Sequence, residues 1–344
     1  MQTILTEKDL ANIEAKVYEK DKVPYFSNSR LETINQCSLK YYFNYVRKLR
    51  FDVKDPARCL GSVIHKVFEF YFKSVWAGKE VDSNDCHFLF DQLWTAEEAE
   101  IMKHRKDLDK DKCSKSKYMG IKLVSEYYKY LRAHPKVPIT YIMPITKNKI
   151  PAVELEVRVP IINLKTGKLI SDKYELLGHI DLIATSKQGI TIEDHKTASR
   201  KYSNFKCKTS LQLLIYSYFY RYLQREKLLE SLDGKELKPK ESLVGFNVML
   251  KGKIPSIEAL FSKVGDGDLD RLYYVIENAI RLIENKIYLP SNSQVCNMCD
   301  YNMFKESICL DWQKDMTVLD DPIKFNKIVK SMRYNYGVEL NTNA

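Results

Sequence analysis

No stretch of this chain is long and apolar enough to span a bilayer: the most hydrophobic helical segment, Leu211 to Tyr220, is far too short and is interrupted by Gln212. An apolar leader core is missing too, because Glu7, Lys8 and Asp9 bring charge into the opening segment before any hydrophobic run forms. The expectation is a cytoplasmic protein with no membrane association. Without a secretory signal, the eight cysteines are not expected to form a disulfide framework, which leaves metal binding or ordinary burial. Internal repeats and low-complexity tracts are also lacking. What is present is ample core material, 44% hydrophobic and 12% aromatic residues over 344 positions, enough for one large domain or two ordinary ones. The net charge of +10, from 55 Lys and Arg against 45 Asp and Glu, favours a polyanionic partner.

Met1 to Lys22 reads as a polar N-terminal helix. Ser27 to Ser29 can cap a second helix, expected from about Arg30 to Val46, with Leu31, Ile34, Leu39, Tyr42 and Phe43 as its core stripe. A third, about Leu60 to Trp76, has Ile64, Phe68, Phe72 and Val75 on its apolar face and His65 on the flank. Further helices are expected to Arg132, through a basic stretch from Lys103 to Lys117 that suits a solvated loop or, alternatively, a nucleic-acid contact. The period then changes to two: Val153, Leu155, Val157 and Val159 alternate with Glu154, Glu156 and Arg158, the pattern of a half-buried strand. Tyr174 to Ala184 and Gly189 to Lys196 form a predicted hairpin. A helix follows from Ser210 to Arg225, then a strand from Leu243 to Leu250 and an amphipathic helix from Asp268 to Lys286. This order predicts an α/β or α+β domain with a helical insertion.

Side chains alternate along a strand, so Ile190, Ile192, Asp194 and Lys196 share one face while Glu193 and His195 take the other. The two isoleucines turn that face inward, placing a carboxylate and an ammonium where they are costly unless a metal or substrate uses them. Asp181, in Gly178-His179-Ile180-Asp181, lies on the preceding strand, where hairpin pairing can bring it to Asp194. Two carboxylates and a lysine suit phosphodiester hydrolysis: carboxylates hold Mg²⁺ or Mn²⁺, and the lysine steadies or deprotonates the nucleophile. Gln212 and Tyr216, four apart on a predicted helix, share a face.

In order, Gly61-Ser62-Val63-Ile64-His65, Gly178-His179-Ile180-Asp181, Ile192-Glu193-Asp194-His195-Lys196-Thr197 and Gln212-Leu213-Leu214-Ile215-Tyr216 resemble the motifs of RecB-like PD-(D/E)XK nucleases. The resemblance implies a restriction-endonuclease-like core, a small mixed sheet flanked by helices. It makes His65, Asp181 and Asp194 metal ligands, Lys196 the catalytic lysine, and Gln212 and Tyr216 the Q-x-x-x-Y pair beside the site. Imidazole ligation suits Mn²⁺ somewhat better than Mg²⁺. The implied activity is a DNA exonuclease acting on single-stranded or duplex ends, with a helicase or recombination partner. The site residues alone are equally compatible with endonuclease cutting. The alternative is a non-catalytic DNA-binding or scaffold module that retains the fold and a structural metal site.

Cys296-Asn297-Met298-Cys299 is followed after nine residues by Cys309, and Cys37 lies near the other end of the core. The helix around Cys37 resembles that of AddB-type nucleases, where one early and three late cysteines hold a [4Fe-4S] cluster. Four thiolates serve either such a cluster or zinc, and the resemblance favours iron. Ser38 stands where a proline often follows the first cysteine, and the last gap is longer than usual. Cys59, Cys86, Cys113 and Cys207 fit no such pattern and are expected to be structural. The expected organisation is an N-terminal helical arm over 1–24, a nuclease domain over 25–312 and a C-terminal tail over 313–344. Within the domain, 78–150 is the helical insertion, 151–225 the catalytic core and 290–312 the cysteine segment.

Overall fold

The computed structural model describes residues 23–51, 55–104, 110–234, 237, 242–302, 308–317, 320–324 and 340–341. The expected N-terminal arm, apart from its last residues, and most of the C-terminal tail lie outside the described residues. The centre is a mixed sheet of β1 (Tyr25–Phe26), β2 (Val137–Pro138), β3 (Val153–Ile162), β4 (Leu169–Ser186), β5 (Gly189–Ala198), β6 (Ser242–Leu250) and β7 (Ser256–Val264). The path runs β1-β4-β5-β6-β7, with β2 and β3 also pairing with β4. The expected hairpin is present, β4 against β5 antiparallel, while β5 and β6 run parallel.

Helices cover both faces. α1 (Asn28–Gln36), α7 (Leu211–Arg225) and α8 (Asp266–Glu284) bury Leu31, Leu214, Phe219 and Leu272 on one side. On the other, α3 (Pro56–Trp76), α4 (Ser83–His104) and α5 (Lys110–Ala133) bury Phe68, Trp94 and Leu123 against Leu182 and Met249. With both faces packed, β5 is buried on both sides, so Glu193 and His195 are as enclosed as Asp194. Gly178 is required by packing, since a Cβ there would fall 2.8 Å from the Phe219 ring.

Two expectations change. The helix predicted from Arg30 to Val46 is broken at Cys37, whose extended backbone ends α1 and caps α2 (Ser38–Tyr41) through its sulfur, with Lys40 N–H 3.4 Å away. Ser38 and Leu39 hydrogen-bond the Leu289 backbone there, and that pairing replaces continuation of the helix. The insertion over 78–150 is helical only to Ala133; Val137–Pro138, Thr140–Ile142 and Lys149–Pro151 are strands. Pro135, Pro138 and Pro144 remove the N–H groups a helix there would need.

Candidate active site

The register that pairs Leu182 with Glu193 sets Asp181 opposite Asp194 across the hairpin. α7 begins at its Ser210 cap and lays Gln212 and Tyr216 over both acids. Gln212 Nε2 donates to Asp194 Oδ1 at 2.5 Å, and the Tyr216 hydroxyl lies 3.2 Å from Asp181 Oδ1 and 3.3 Å from Asp194 Oδ1. Lys196 Nζ donates to Asp194 Oδ1 at 3.0 Å. The same ammonium is 2.8 Å from Asp194 Oδ2, but that buried oxygen accepts no hydrogen bond of good geometry. An underused carboxylate oxygen in a buried acidic site suits a cation.

His65 enters from α3. Its Nε2 is 2.8 Å from the His195 carbonyl, which can only accept, so Nε2 carries a proton. Nδ1 is then the nitrogen turned toward the acids, 3.1 Å from Glu154 Oε1 and 3.5 Å from Asp181 Oδ2. Among the described residues, His65, Glu154 and Asp181 form the group of three candidate metal ligands within 4.8 Å of one another. Glu154 was not among the site residues read from the sequence. Val153 pairs with Leu182 and Leu155 with Ile180, which puts Glu154 across from Asp181. It adopts φ +45°, a conformation rare for a residue with a side chain and frequent where function imposes strain. The legible signal was its place in the alternating strand; the missing one was the register against Asp181.

His195 links these parts through its backbone. Its N–H donates to Asp181 Oδ2 at 2.7 Å, its carbonyl orients His65, and its imidazole Nε2 lies 2.7 Å from the Tyr127 hydroxyl of α5. Burial holds that imidazole neutral. Glu193, on the opposite face from Asp194, is consumed in a buried network with Lys136 at 2.5 Å, Thr191 at 2.6 Å and Asn247.

Burial and the neighbouring Asp194 push the Asp181 carboxyl up to about 7, against the opposing pull of His65. Burial also raises Asp194, although Lys196 opposes it. Burial works against the His65 imidazolium, but Glu154, Asp181 and Asp194 outweigh it and carry the group up to about 9. Lys196 is likewise held above the ordinary lysine range, Asp194 and Asp181 overcoming its desolvation. Two adjacent buried carboxylates are unfavourable together without a cation, so the donor set fits a divalent metal.

The profile of the PD-(D/E)XK nuclease superfamily matches residues 25–304. The chain belongs to this superfamily. Within the PD-(D/E)XK chain, all six site residues expected from sequence, His65, Asp181, Asp194, Lys196, Gln212 and Tyr216, converge on one locality. A crystal structure from Eubacterium rectale described as a “Putative exonuclease” is similar to it, at 13% identity and a TM-score of 0.40, covering 88% of this chain and 95% of that one. No curated protein sequence matches the chain. Among the described residues, no helix is long and apolar enough to cross a membrane.

Cys37, Cys296, Cys299 and Cys309 line one cavity of about 150 Å³. Phe43 and Tyr301 also line it, and Tyr42 and Trp312 pack against the same cluster. Gln313 Nε2 donates to Cys309 Sγ at 3.3 Å, one of the N–H contacts that stabilise thiolate sulfur. Ser38, at the position that departs from the AddB-type pattern, accepts a 2.8 Å bond from Leu289 N–H, a bond that a proline side chain could not accept. Cys59, Cys86, Cys113 and Cys207 are buried elsewhere, and burial pushes Cys86 up to about 12 and Cys207 up to about 11.

Proposed function

We propose that the protein is a RecB-like, metal-dependent deoxyribonuclease that trims DNA from an end. The observation that carries this reading is the convergence of Asp181, Asp194 and Lys196 with His65 and Glu154, from four separate segments, in a buried site with an excess of carboxylate oxygens. Asp181, Asp194, Glu154 and Nδ1 of His65 would hold Mg²⁺ or Mn²⁺. When bound, the metal polarises the phosphodiester and lowers the pKa of a coordinated water. Lys196, anchored on Asp194, offers its ammonium to the nucleophile and to charge building on the phosphate. Gln212 and Tyr216 hold the acids in place, and the His195 backbone fixes Asp181 and His65 relative to each other. Asp181 and Nδ1 of His65 must both lose a proton before they can ligate, so the metal-loaded site forms more readily as pH rises.

The four-cysteine cavity is proposed to hold a [4Fe-4S] cluster that ties Cys37 to the distant C-terminal cysteines. Four thiolates serve either such a cluster or one zinc, and the order of one early and three late cysteines, which resembles that of AddB-type nucleases, is what favours iron.

The decisive assay is cleavage of end-labelled single-stranded, duplex and circular DNA with Mn²⁺ or Mg²⁺. The proposal expects short labelled products from linear substrates and an intact circle. No cleavage with either metal would overturn the nuclease reading, and cutting of the circle would overturn the exonuclease part.

A further inference from the structure

We propose that the segment from Ser199 to Thr209, with the turn after β6, is a binding track for a single strand of nucleic acid leading to the metal site. The proposal rests on the nuclease reading and names the surface and strand form that reading leaves open. The segment leaves β5 three residues after Lys196 and ends just before Gln212, so both of its ends are fixed at the catalytic cluster. Because β6 runs parallel to β5, its C-terminal end leaves the sheet at the same edge, where Lys251 N–H donates to Ala198 O at 2.7 Å.

This edge is basic. No acid occurs between Lys196 and Leu211 or between Leu250 and Ile257. Arg200, Lys206, Lys208, Lys251 and Lys253 pair with no acid among the described residues. In the basic stretch at Lys103 to Lys117, by contrast, Asp107, Asp109 and Asp111 alternate with the cations, and Lys103 lies 3.8 Å from Glu100, Lys115 3.8 Å from Asp111 and Lys117 2.6 Å from Asp91.

An aromatic is displayed among these cations. Phe205 is 74% exposed on α6 (Asn204–Thr209). It is rigidly presented: Ser203 caps the helix, Cys207 is buried with its sulfur 3.4 Å from Leu260 O, and Arg271 donates to Lys208 O at 3.2 Å. A rigid exposed phenyl ring between cations that pair with no acid, one of them, Lys206, seated on the Tyr202 ring, matches the chemistry of single-strand binding, in which bases stack on aromatics while cations follow phosphates. A duplex covers every base face except those of its two terminal pairs, so it offers Phe205 far fewer faces to stack on. Tyr127, Tyr218 and Tyr220 are buried in the core and present no ring face to a ligand.

The test is fluorescence anisotropy with the full chain, a labelled poly-dT oligonucleotide and a blunt duplex of equal length, in EDTA so that nothing is cut. Phe205→Ala is expected to weaken single-strand binding about tenfold, as for one lost base stack, with duplex binding and melting temperature unchanged. Arg200→Ala with Lys208→Ala should flatten the salt dependence by roughly two phosphate contacts. Phe88→Ala, which removes an exposed ring on α4, is the control and should change neither. Unchanged single-strand affinity in Phe205→Ala, or an equal loss on duplex, overturns the proposal. Metal-dependent cleavage measured in parallel separates the two readings: cutting that persists alongside unchanged binding sinks the track alone, whereas absence of cutting in the unmodified protein sinks the nuclease.

Discussion

Tyr216→Phe removes one oxygen from the centre of the site and nothing from the core. The hydroxyl lies 3.2 Å from Asp181 Oδ1 and 3.3 Å from both Asp194 Oδ1 and Gln212 Nε2, so it touches both acids and the amide that braces them. A hydrogen bond to a charged group contributes about 1.5–3 kcal/mol, but these contacts are at the long end of the range, so about 1–2 kcal/mol is the reasonable expectation. That corresponds to about 5- to 30-fold weaker metal binding. Phenylalanine fills the same space and leaves no buried hydroxyl unpaired, so the melting temperature should hold. Calorimetric titration with Mn²⁺, followed by cleavage at rising metal concentration, reads the effect. Weaker affinity with cleavage restored at high Mn²⁺ is expected. Unchanged metal affinity with lost cleavage would refute the argument and make Tyr216 a substrate contact.

Asp194→Asn should abolish cleavage while Glu193→Gln retains it, since Glu193 faces Lys136 and Asn247; the reverse result in a plasmid-nicking assay would overturn the assignment of strand faces. Lys136→Met leaves Glu193 buried without its cation and should destabilise the fold by about 3–5 kcal/mol in urea denaturation, with Lys136→Met/Glu193→Leu recovering much of that loss. In metal-free protein, Asp181 stays protonated up to about 7 when folded but only to about 4 when unfolded, so folding binds more protons across that window. Its contribution to stability is therefore full below about pH 4 and declines as pH rises toward 7, and His65, raised to about 9, extends the decline; chemical denaturation showing stability rising from pH 4 to 8 without metal would contradict both. Anaerobically purified protein should be brown with about four irons per chain, and Cys37→Ser should lose iron as fully as Cys299→Ser while Cys59→Ser loses none; stoichiometric zinc instead would overturn the cluster.

Much of the site was legible because each element carried its own local signal. Asp194 and Lys196 follow from alternation along one strand, Gln212 and Tyr216 from helical spacing, and Asp181 from hairpin pairing. Glu154 was not legible: in a strand alternating apolar and charged residues it looks like one more solvent-facing acid, and only the register with β4 brings it to His65. The break at Cys37 was hidden for a related reason. Leu31 to Phe43 keeps a helical stripe, and what interrupts it is the backbone of Leu289, some 250 residues away in sequence. The strands after Pro135 were foreshadowed by their prolines but absorbed into a helical insertion, and Ser256–Val264 was missed because its pairing with β6 is tertiary information.

The central claim is tested most directly by Lys196→Ala, assayed for metal-dependent DNA cleavage alongside calorimetric metal binding and thermal melting. Lys196 contacts Asp194 without being a ligand, so the variant should fold, should bind Mn²⁺ at least as tightly as the unmodified chain, and should cut DNA at least about a hundredfold more slowly. Cleavage at the unmodified rate would contradict the account and place the chemistry elsewhere on the molecule.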